Sequence, residues 1–283
     1  MTDAASLPPL SEVLRRHGLR ARRALGQNFL ADANIARRIA RAAGPLKDTV
    51  VYEVGPGAGA LTRALLAAGP CRLVVVEKDA RFLPVLEELA GYYPGRLEIV
   101  SGDALIIDER ALLADETDVR VIANLPYNIA SPLLAKWLTA EPWPPWYASA
   151  TLMFQREVAA RIVAAPGGRD YGRLSVLAQW RSEARRLFDV PPTAFVPRPS
   201  VTSSVLHLVP RDAPLAADTA ALSAVLAAAF GQRRKMLRSS LKSLGVDARA
   251  LLARAGIDAN RRAETLTVAN FCCLANFYME LRD

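Results

Sequence analysis

Val50-Val-Tyr-Glu-Val-Gly-Pro-Gly-Ala-Gly59 is the stretch on which the fold turns. A β-rich run, Val50–Val54, passes into a glycine-rich turn, and a helical pattern starts at about Leu61. Glycines at such a turn let the backbone bend sharply and approach a ligand closely. Outward from it, short β-rich runs alternate with helical patterns, as in a doubly wound parallel sheet. Arg72–Glu77 is the second predicted strand and leads into a helix near Ala80–Leu89. Leu97–Val100 is the third, Val119–Ala123 the fourth and Ala150–Phe154 the fifth, with a helix Ser131–Leu138, capped by Ser131, after the fourth. Ala184–Val190 and Ser203–Val209 read as a closing pair joined by the proline-rich Pro191–Pro199. After Pro210 the pattern is helical, with Gly245 and Gly256 as stops. The expected class is therefore α/β with a small C-terminal α-helical domain. The expected divisions are a basic N-terminal segment 1–24, a sheet domain 25–212 and a helical domain 213–283.

Composition bounds the partners. Of the 283 residues 52% are hydrophobic, which excludes disordered and fibrous classes. The longest apolar runs, such as Ala221–Phe230, are too short for a bilayer, so a soluble protein without a membrane partner is expected. The 36 Lys and Arg against 28 Asp and Glu leave a formal charge of +8, which suits a polyanion such as RNA. Most of these cations are Arg, which can stack on bases and fork onto phosphates. Cys71, Cys272 and Cys273 follow no CxxC spacing, and His17 and His207 form no cluster, so no metal site is expected. Unpatterned thiols and the lack of a secretory pattern point to a reducing compartment, the cytoplasm.

The glycine loop admits two ligand classes. Gly55-x-Gly57-x-x-Ala60 also satisfies a relaxed dinucleotide fingerprint, and Glu77 lies where an acid takes ribose hydroxyls in either class. Glu53 favours S-adenosylmethionine, because a carboxylate there can organise the loop and meet the cationic end of the ligand. A dinucleotide would instead set its pyrophosphate on the helix N-terminus, where an acid is unwelcome. Asp103, in Gly102-Asp103-Ala104, can accept a hydrogen bond from an adenine amino group; read by itself it is equally an ordinary turn aspartate.

Asn124-Leu125-Pro126-Tyr127 falls just past the fourth strand, at the carboxyl edge where ligands of such sheets bind. Its chemistry suits methylation of an aromatic amine, whose lone pair is delocalised and poorly nucleophilic. The Asn124 side-chain oxygen and the Leu125 carbonyl can hold two N–H groups and favour a pyramidal nitrogen. Pro126 fixes the backbone, and Tyr127 can stack on a base taken out of its helix. No general base is demanded; positioning of nucleophile and methyl donor suffices. The bland alternative is a proline-terminated strand before a capped helix.

Further segments join these in order: Gly26-Gln-Asn-Phe-Leu30, Val76-Glu-Lys-Asp79, Asn124-Leu-Pro-Tyr-Asn-Ile129, Tyr171-Gly-Arg-Leu-Ser175, Phe195-Val-Pro-Arg-Pro199 and Phe230-Gly-Gln-Arg-Arg-Lys235. With the glycine loop and Gly102-Asp103 they make the chain, from about Arg22 to its C-terminus, resemble the bacterial 16S ribosomal RNA adenine N6,N6-dimethyltransferases of the KsgA/RsmA type. The resemblance implies a Rossmann-like class I methyltransferase sheet in 25–212 and an RNA-contacting helical domain in 213–283. It implies dimethylation of two adjacent adenosines in the 3′-terminal hairpin of 16S rRNA, on an immature small subunit. It implies cofactor contacts from Asn28, Leu30, Gly55, Glu77, Asp103 and Asn124, to which the residues themselves add Glu53 and Gly57, and it implies that Phe195 stacks on the target adenine opposite Tyr127. Without it Asn28 reads as a helix cap and Phe195 as a core aromatic.

A helix around Phe230–Leu244 carries Arg234, Arg238 and Lys242 at intervals of four beside an apolar face of Leu237, Leu241 and Leu244, with Arg233 and Lys235 adding charge. Such a stripe is either a solvated face or an RNA phosphate contact; the resemblance and the net charge favour RNA. Arg15, Arg16, Arg20, Arg22 and Arg23 invite the same reading. A monomer is expected, since no strong apolar oligomer face stands out. The rivals are an Erm-type methylase of large-subunit RNA, a non-catalytic RNA-binding assembly factor, and an NAD oxidoreductase. The Phe230–Lys235 block, the undecayed glycine loop and the lack of a nearby histidine argue against them in turn.

Overall fold

The computed structural model describes residues 7–19, 28–232 and 234–282. Arg20, Arg22, Arg23, Gly26, Gln27 and Arg233 lie outside them. In chain order the first elements are α1 Leu10–Arg16, β1 Phe29–Leu30, α2 Ala33–Ala42, β2 Val50–Val54, α3 Ala60–Ala68, β3 Arg72–Glu77, α4 Leu83–Tyr92, β4 Leu97–Ser101 and α5 Glu109–Leu112. Then come β5 Val119–Asn124, α6 Tyr127–Leu138, β6 Ser149–Gln155, α7 Arg156–Ile162, α8 Arg173–Arg181, β7 Ser182–Val190, β8 Phe195–Val196 and β9 Ser203–Pro210. The chain ends with α9 Thr219–Gly231, α10 Leu237–Ser240, α11 Ala248–Arg254 and α12 Val268–Glu280. No helix among the described residues is long and apolar enough to cross a membrane.

A seven-stranded sheet runs in the order β4-β3-β2-β5-β6-β9-β7. Strands β4, β3, β2, β5 and β6 are parallel, and β9 is antiparallel to β6. Every residue of β2 is buried, as is most of β3, which is why both read as unbroken apolar runs. A parallel sheet covered by helices on both faces requires that. The chain steps to one side from β2 through β3 to β4, then crosses to β5 on the other side of β2. The carboxyl ends of β2 and β5 thus mark the topological switch point, where open α/β sheets bind ligands.

The chain forms two compact units. One takes the sequence up to Trp137 with Pro142–Ala159 and Arg185–Pro210; the other takes Leu138–Glu141, Ala160–Ala184 and everything from Arg211. The second unit is therefore not a contiguous tail. Within it α8 and the turn before it are bound in by contacts that periodicity cannot reveal: the Trp180 indole donates to the Leu215 carbonyl at 2.7 Å, and the ring of Tyr171, just ahead of α8, meets Phe230 edge-on.

Two predicted helices need correction. Helix α6 starts at Tyr127, four residues before Ser131. The Pro126 carbonyl accepts from the Ile129 and Ala130 N–H groups, both at 3.1 Å, so the first turn closes there. Ser131-Pro132 has the form of a cap and first position, yet Pro132 lies inside the helix. The continuous helix Phe230–Leu244 does not exist. Helix α9 ends at Gly231, and the chain resumes helical form only at Leu237. There the Leu237 and Arg238 N–H groups donate to the carbonyls of Arg261 and Ala259, which fixes a new start. Arg234 precedes that start, so the three cations spaced by four share no helix face, although Leu237 and Leu241 are buried as expected.

Candidate functional site

A cavity of about 360 Å³ opens at the switch point, lined by the ends of β2, β3, β5 and the turn after β4. It falls within the size range of small-molecule sites, roughly 300–1,000 Å³. Asn28, Leu30, Glu53, Gly55, Gly57, Glu77, Asp103 and Asn124, together with Leu125, Pro126 and Tyr127, all line it. Residues spread over a hundred positions meet here because most of them end a strand or lie in the turn that follows it, while Asn28 directly precedes β1 and Tyr127 opens α6.

The glycine turn shows why glycine is needed. Gly55 and Gly57 have φ of 67° and 54°, a region other residues rarely adopt. A Cβ on Gly55 would lie 3.1 Å from the Pro126 ring, and one on Gly57 would lie 3.4 Å from the Phe29 ring. The turn between β2 and α3 thus presses against the Asn124–Tyr127 segment on one side and Phe29 on the other. A cradle that a Cβ would fill, with Glu53, Glu77, Asp79 and Asp103 in its lining, fits a ligand with a cationic end and ribose and adenine donors, as S-adenosylmethionine has.

The carboxylates are individually anchored. Glu77 accepts from the Gly57 N–H at 3.0 Å and from the Asp79 N–H at 2.8 Å. Each oxygen retains a second lone pair for a hydroxyl. Burial raises its carboxyl above the usual range. Glu53 is 1% exposed and accepts from the Thr62 hydroxyl at 2.8 Å. Its burial pushes the carboxyl up to about 8, with Glu77 adding to the rise. Asp103 behaves oppositely: it pairs with Lys78 at 2.7 Å and accepts from the Leu105 N–H, which hold it below its ordinary value.

Asn124 is the last residue of β5, held in register opposite Met153. Tyr127 heads α6, and its hydroxyl is tethered to Ser203 Oγ at 2.6 Å, with burial raising the phenol above its ordinary value. Ser203 is fully buried on β9; nothing in the sequence singles it out, because only the antiparallel pairing of β9 with β6 brings it near. Lys78 and Phe29 also line the cavity; both belong to the quoted segments Val76–Asp79 and Gly26–Leu30, but residue type alone gives them no role.

Asn28 is not a helix cap, since Asp32 caps α2 by accepting from Asn34 and Ile35; Asn28 lines the cavity. Phe195 lies elsewhere. Strands β1 and β8 pair antiparallel with Leu30 opposite Phe195, joining two motifs 165 positions apart (Phe195 − Leu30 = 165). The Phe195 ring is 3% exposed, packed in the core cluster with Leu30 and Ala194 and outside the cavity wall. In the second unit, Arg238 and Lys242 line a separate cleft of about 330 Å³ together with Arg249, which the sequence reading passed over. Arg234 and Lys235 are exposed and do not line it.

A family model described as "Ribosomal RNA adenine dimethylase" matches residues 18–280. A protein of Xanthobacter autotrophicus named ribosomal RNA small subunit methyltransferase A is 60% identical over 283 residues, covering all of this chain and 98% of that one. Its namesake from Rhodopseudomonas palustris is 62% identical over 276 residues, 98% of this chain and 96% of that one. Among solved structures, a dimethyladenosine transferase from Plasmodium falciparum superposes with a TM-score of 0.72 at 23% identity, covering 89% of this chain and 97% of that one. The 23S rRNA methyltransferase ErmE superposes with a TM-score of 0.62 at 26% identity, covering 90% of this chain and all of that one.

Proposed function

The chain belongs to the ribosomal RNA adenine dimethylase family, and from that premise we propose how its residues carry the reaction. The fold is the Rossmann-like class I methyltransferase fold. The protein is an S-adenosylmethionine-dependent rRNA methyltransferase that converts two adjacent adenosines in the 3′-terminal hairpin of 16S rRNA to N6,N6-dimethyladenosine. Its 60% identity to a small-subunit enzyme, against 26% to the large-subunit ErmE, carries that choice.

S-adenosylmethionine, when bound, supplies an electrophilic methyl group. Glu53, with Gly55 and Gly57, would hold its cationic end; Glu77 would take the ribose hydroxyls; Asp103 would take the adenine amino group. Asn28 and Leu30 would close the cavity over it. For the first transfer, Asn124 Oδ1 and the Leu125 carbonyl accept from the two N–H groups of the target amine, pyramidalising it and aiming its lone pair into the cavity; each transfer sheds one N–H proton, so a single N–H remains to be held for the second. Pro126 fixes that carbonyl, and the Tyr127 ring, steadied by Ser203, stacks on the flipped base. Positioning supplies most of the rate. Stacking by Phe195 from the opposite side requires its ring to leave the core cluster that buries it. Arg233, Arg234, Lys235, Arg238 and Lys242 are read as RNA contacts within 213–283, and Arg249 joins them by lining the same cleft as Arg238 and Lys242. The substrate is read as the immature small subunit, and the enzyme as a cytoplasmic monomer; exposed apolar residues such as Ile106, Val196 and Leu215 are scattered along the chain, and unpatterned thiols suit a reducing compartment.

Methyl transfer from labelled S-adenosylmethionine to unmethylated small subunits, followed by digestion to nucleosides, tests this reading. Dimethyladenosine is expected from small but not large subunits. Asn124→Ala is expected to abolish it nearly completely while sparing cofactor affinity more than Glu77→Ala does. Tight binding to the subunits without incorporation would instead make the protein a non-catalytic assembly factor.

A further inference from the structure

Lys136 is the tenth residue of α6, the helix that Tyr127 begins. Its ammonium donates to the Ala104 carbonyl at 2.9 Å, the Ile107 carbonyl at 2.5 Å and Glu109 Oε2 at 2.7 Å. The three donors of an ammonium are matched by these three acceptors. Two acceptors are backbone carbonyls of the turn between β4 and α5, and the first directly follows Asp103. Glu109 is 3% exposed, and its other oxygen accepts from the Trp137 indole at 2.8 Å, so the acceptor end is itself fixed. The Lys136 charge is also among those that favour the ionised Asp103 carboxyl.

A plain loop staple needs only one such bond. Here one half-buried ammonium ties the turn that carries Asp103 to the helix whose first residue is Tyr127. We propose that Lys136, braced by Glu109 and Trp137, is a positioning residue that sets the adenine-binding Asp103 turn in register with the Asn124–Tyr127 segment. This rests on the reading of Asp103 as the adenine contact. Lys136 does not line the cavity; it acts through the turn, so its removal loosens cofactor binding and leaves the chemical step alone.

The test measures S-adenosylhomocysteine binding by calorimetry and steady-state methylation of unmethylated small subunits for Lys136→Met, Asp103→Ala and the double variant. Lys136→Met is expected to weaken binding about tenfold, the equivalent of one lost charge-assisted hydrogen bond. The kcat at saturating cofactor and the KM for subunits should stay within about twofold, and Lys136→Arg should restore part of the affinity. In the Asp103→Ala background, Lys136→Met should add less than about twofold, because both act on one contact. Since Lys136→Met strands the Glu109 charge, Lys136→Met with Glu109→Gln provides a neutral second variant, for which the same loss of affinity is expected. A fall in kcat with unchanged affinity, or a full tenfold loss added on top of Asp103→Ala, overturns the proposal. If Asp103→Ala alone leaves affinity unchanged, the reading of Asp103 fails and takes the proposal with it. If Asp103→Ala weakens binding and Lys136→Met does not, only the proposal falls.

Discussion

Single residues in the cavity are tuned by how water is kept from them. Glu53 lies on β2, and burial, with Glu77 adding to it, raises its carboxyl from 4.5 to about 8. The neutral form is therefore favoured by folding. Stability from this group is complete below pH 4.5, falls as pH rises and levels off near pH 8. Glu53→Gln keeps an oxygen for the Thr62 hydroxyl and cannot ionise. Its thermal stability should match the parent near pH 4.5 and exceed it increasingly up to pH 8, as a melting series would read. A ligand cation beside Glu53 reverses that preference and draws the carboxylate form. Binding of S-adenosylmethionine near pH 7 should then release a proton from the parent protein and less from Glu53→Gln. Calorimetry in two buffers of different ionisation enthalpy separates the cases. Equal release from both proteins would show that Glu53 does not face the cationic end.

Elements, rather than residues, decide what was legible beforehand. Strands β2 and β3 fall where their apolar runs place them, because burial on both faces leaves a signal that composition carries. Helix α6 starts earlier than its local pattern indicates, because Ser131-Pro132 has the form of a helix opening while the Pro126 carbonyl accepts the first bonds of the helix. The helical pattern after Phe230 is broken by backbone bonds from Leu237 to Arg261 and from Arg238 to Ala259, and no local pattern encodes a bond across 21 or more positions (Ala259 − Arg238 = 21). The glycine turn was legible as a ligand loop, but its contact with the Asn124–Tyr127 segment was not. That contact makes a prediction for two turns at once. Gly55→Ala introduces both a left-handed alanine and a Cβ 3.1 Å from Pro126. It should cost about 1–3 kcal/mol of stability and lower both cofactor affinity and kcat. Gly69, the left-handed cap ending α3, has nothing within 4 Å of its would-be Cβ. Gly69→Ala should therefore cost about 1 kcal/mol with unchanged cofactor affinity. Equal losses of affinity in the two variants would mean that the Gly55–Pro126 contact has no bearing on the site.

For the molecule as a whole the question is whether a charge of +8 acts as a diffuse field or through particular phosphates. A diffuse field depends on the sum of charges, so reversing any two exposed cations has the same effect. Phosphate contacts depend on place, because each releases counterions and adds about 0.7–0.9 to the slope of log affinity against log salt. Lys242 and Arg249 share the cleft in the second unit and are exposed; Arg41 and Lys47 are exposed near the end of α2. Lys242→Glu with Arg249→Glu and Arg41→Glu with Lys47→Glu each take the formal charge from +8 to +4. If the cleft grips the RNA backbone, the first pair should weaken binding to unmethylated small subunits and flatten the salt slope by roughly 1–2. The second pair should leave the slope unchanged, and neither should alter affinity for S-adenosylhomocysteine. Equal effects from both pairs would assign the attraction to net charge and leave the cleft a solvated face, a distinction that affinity at a single salt concentration cannot make.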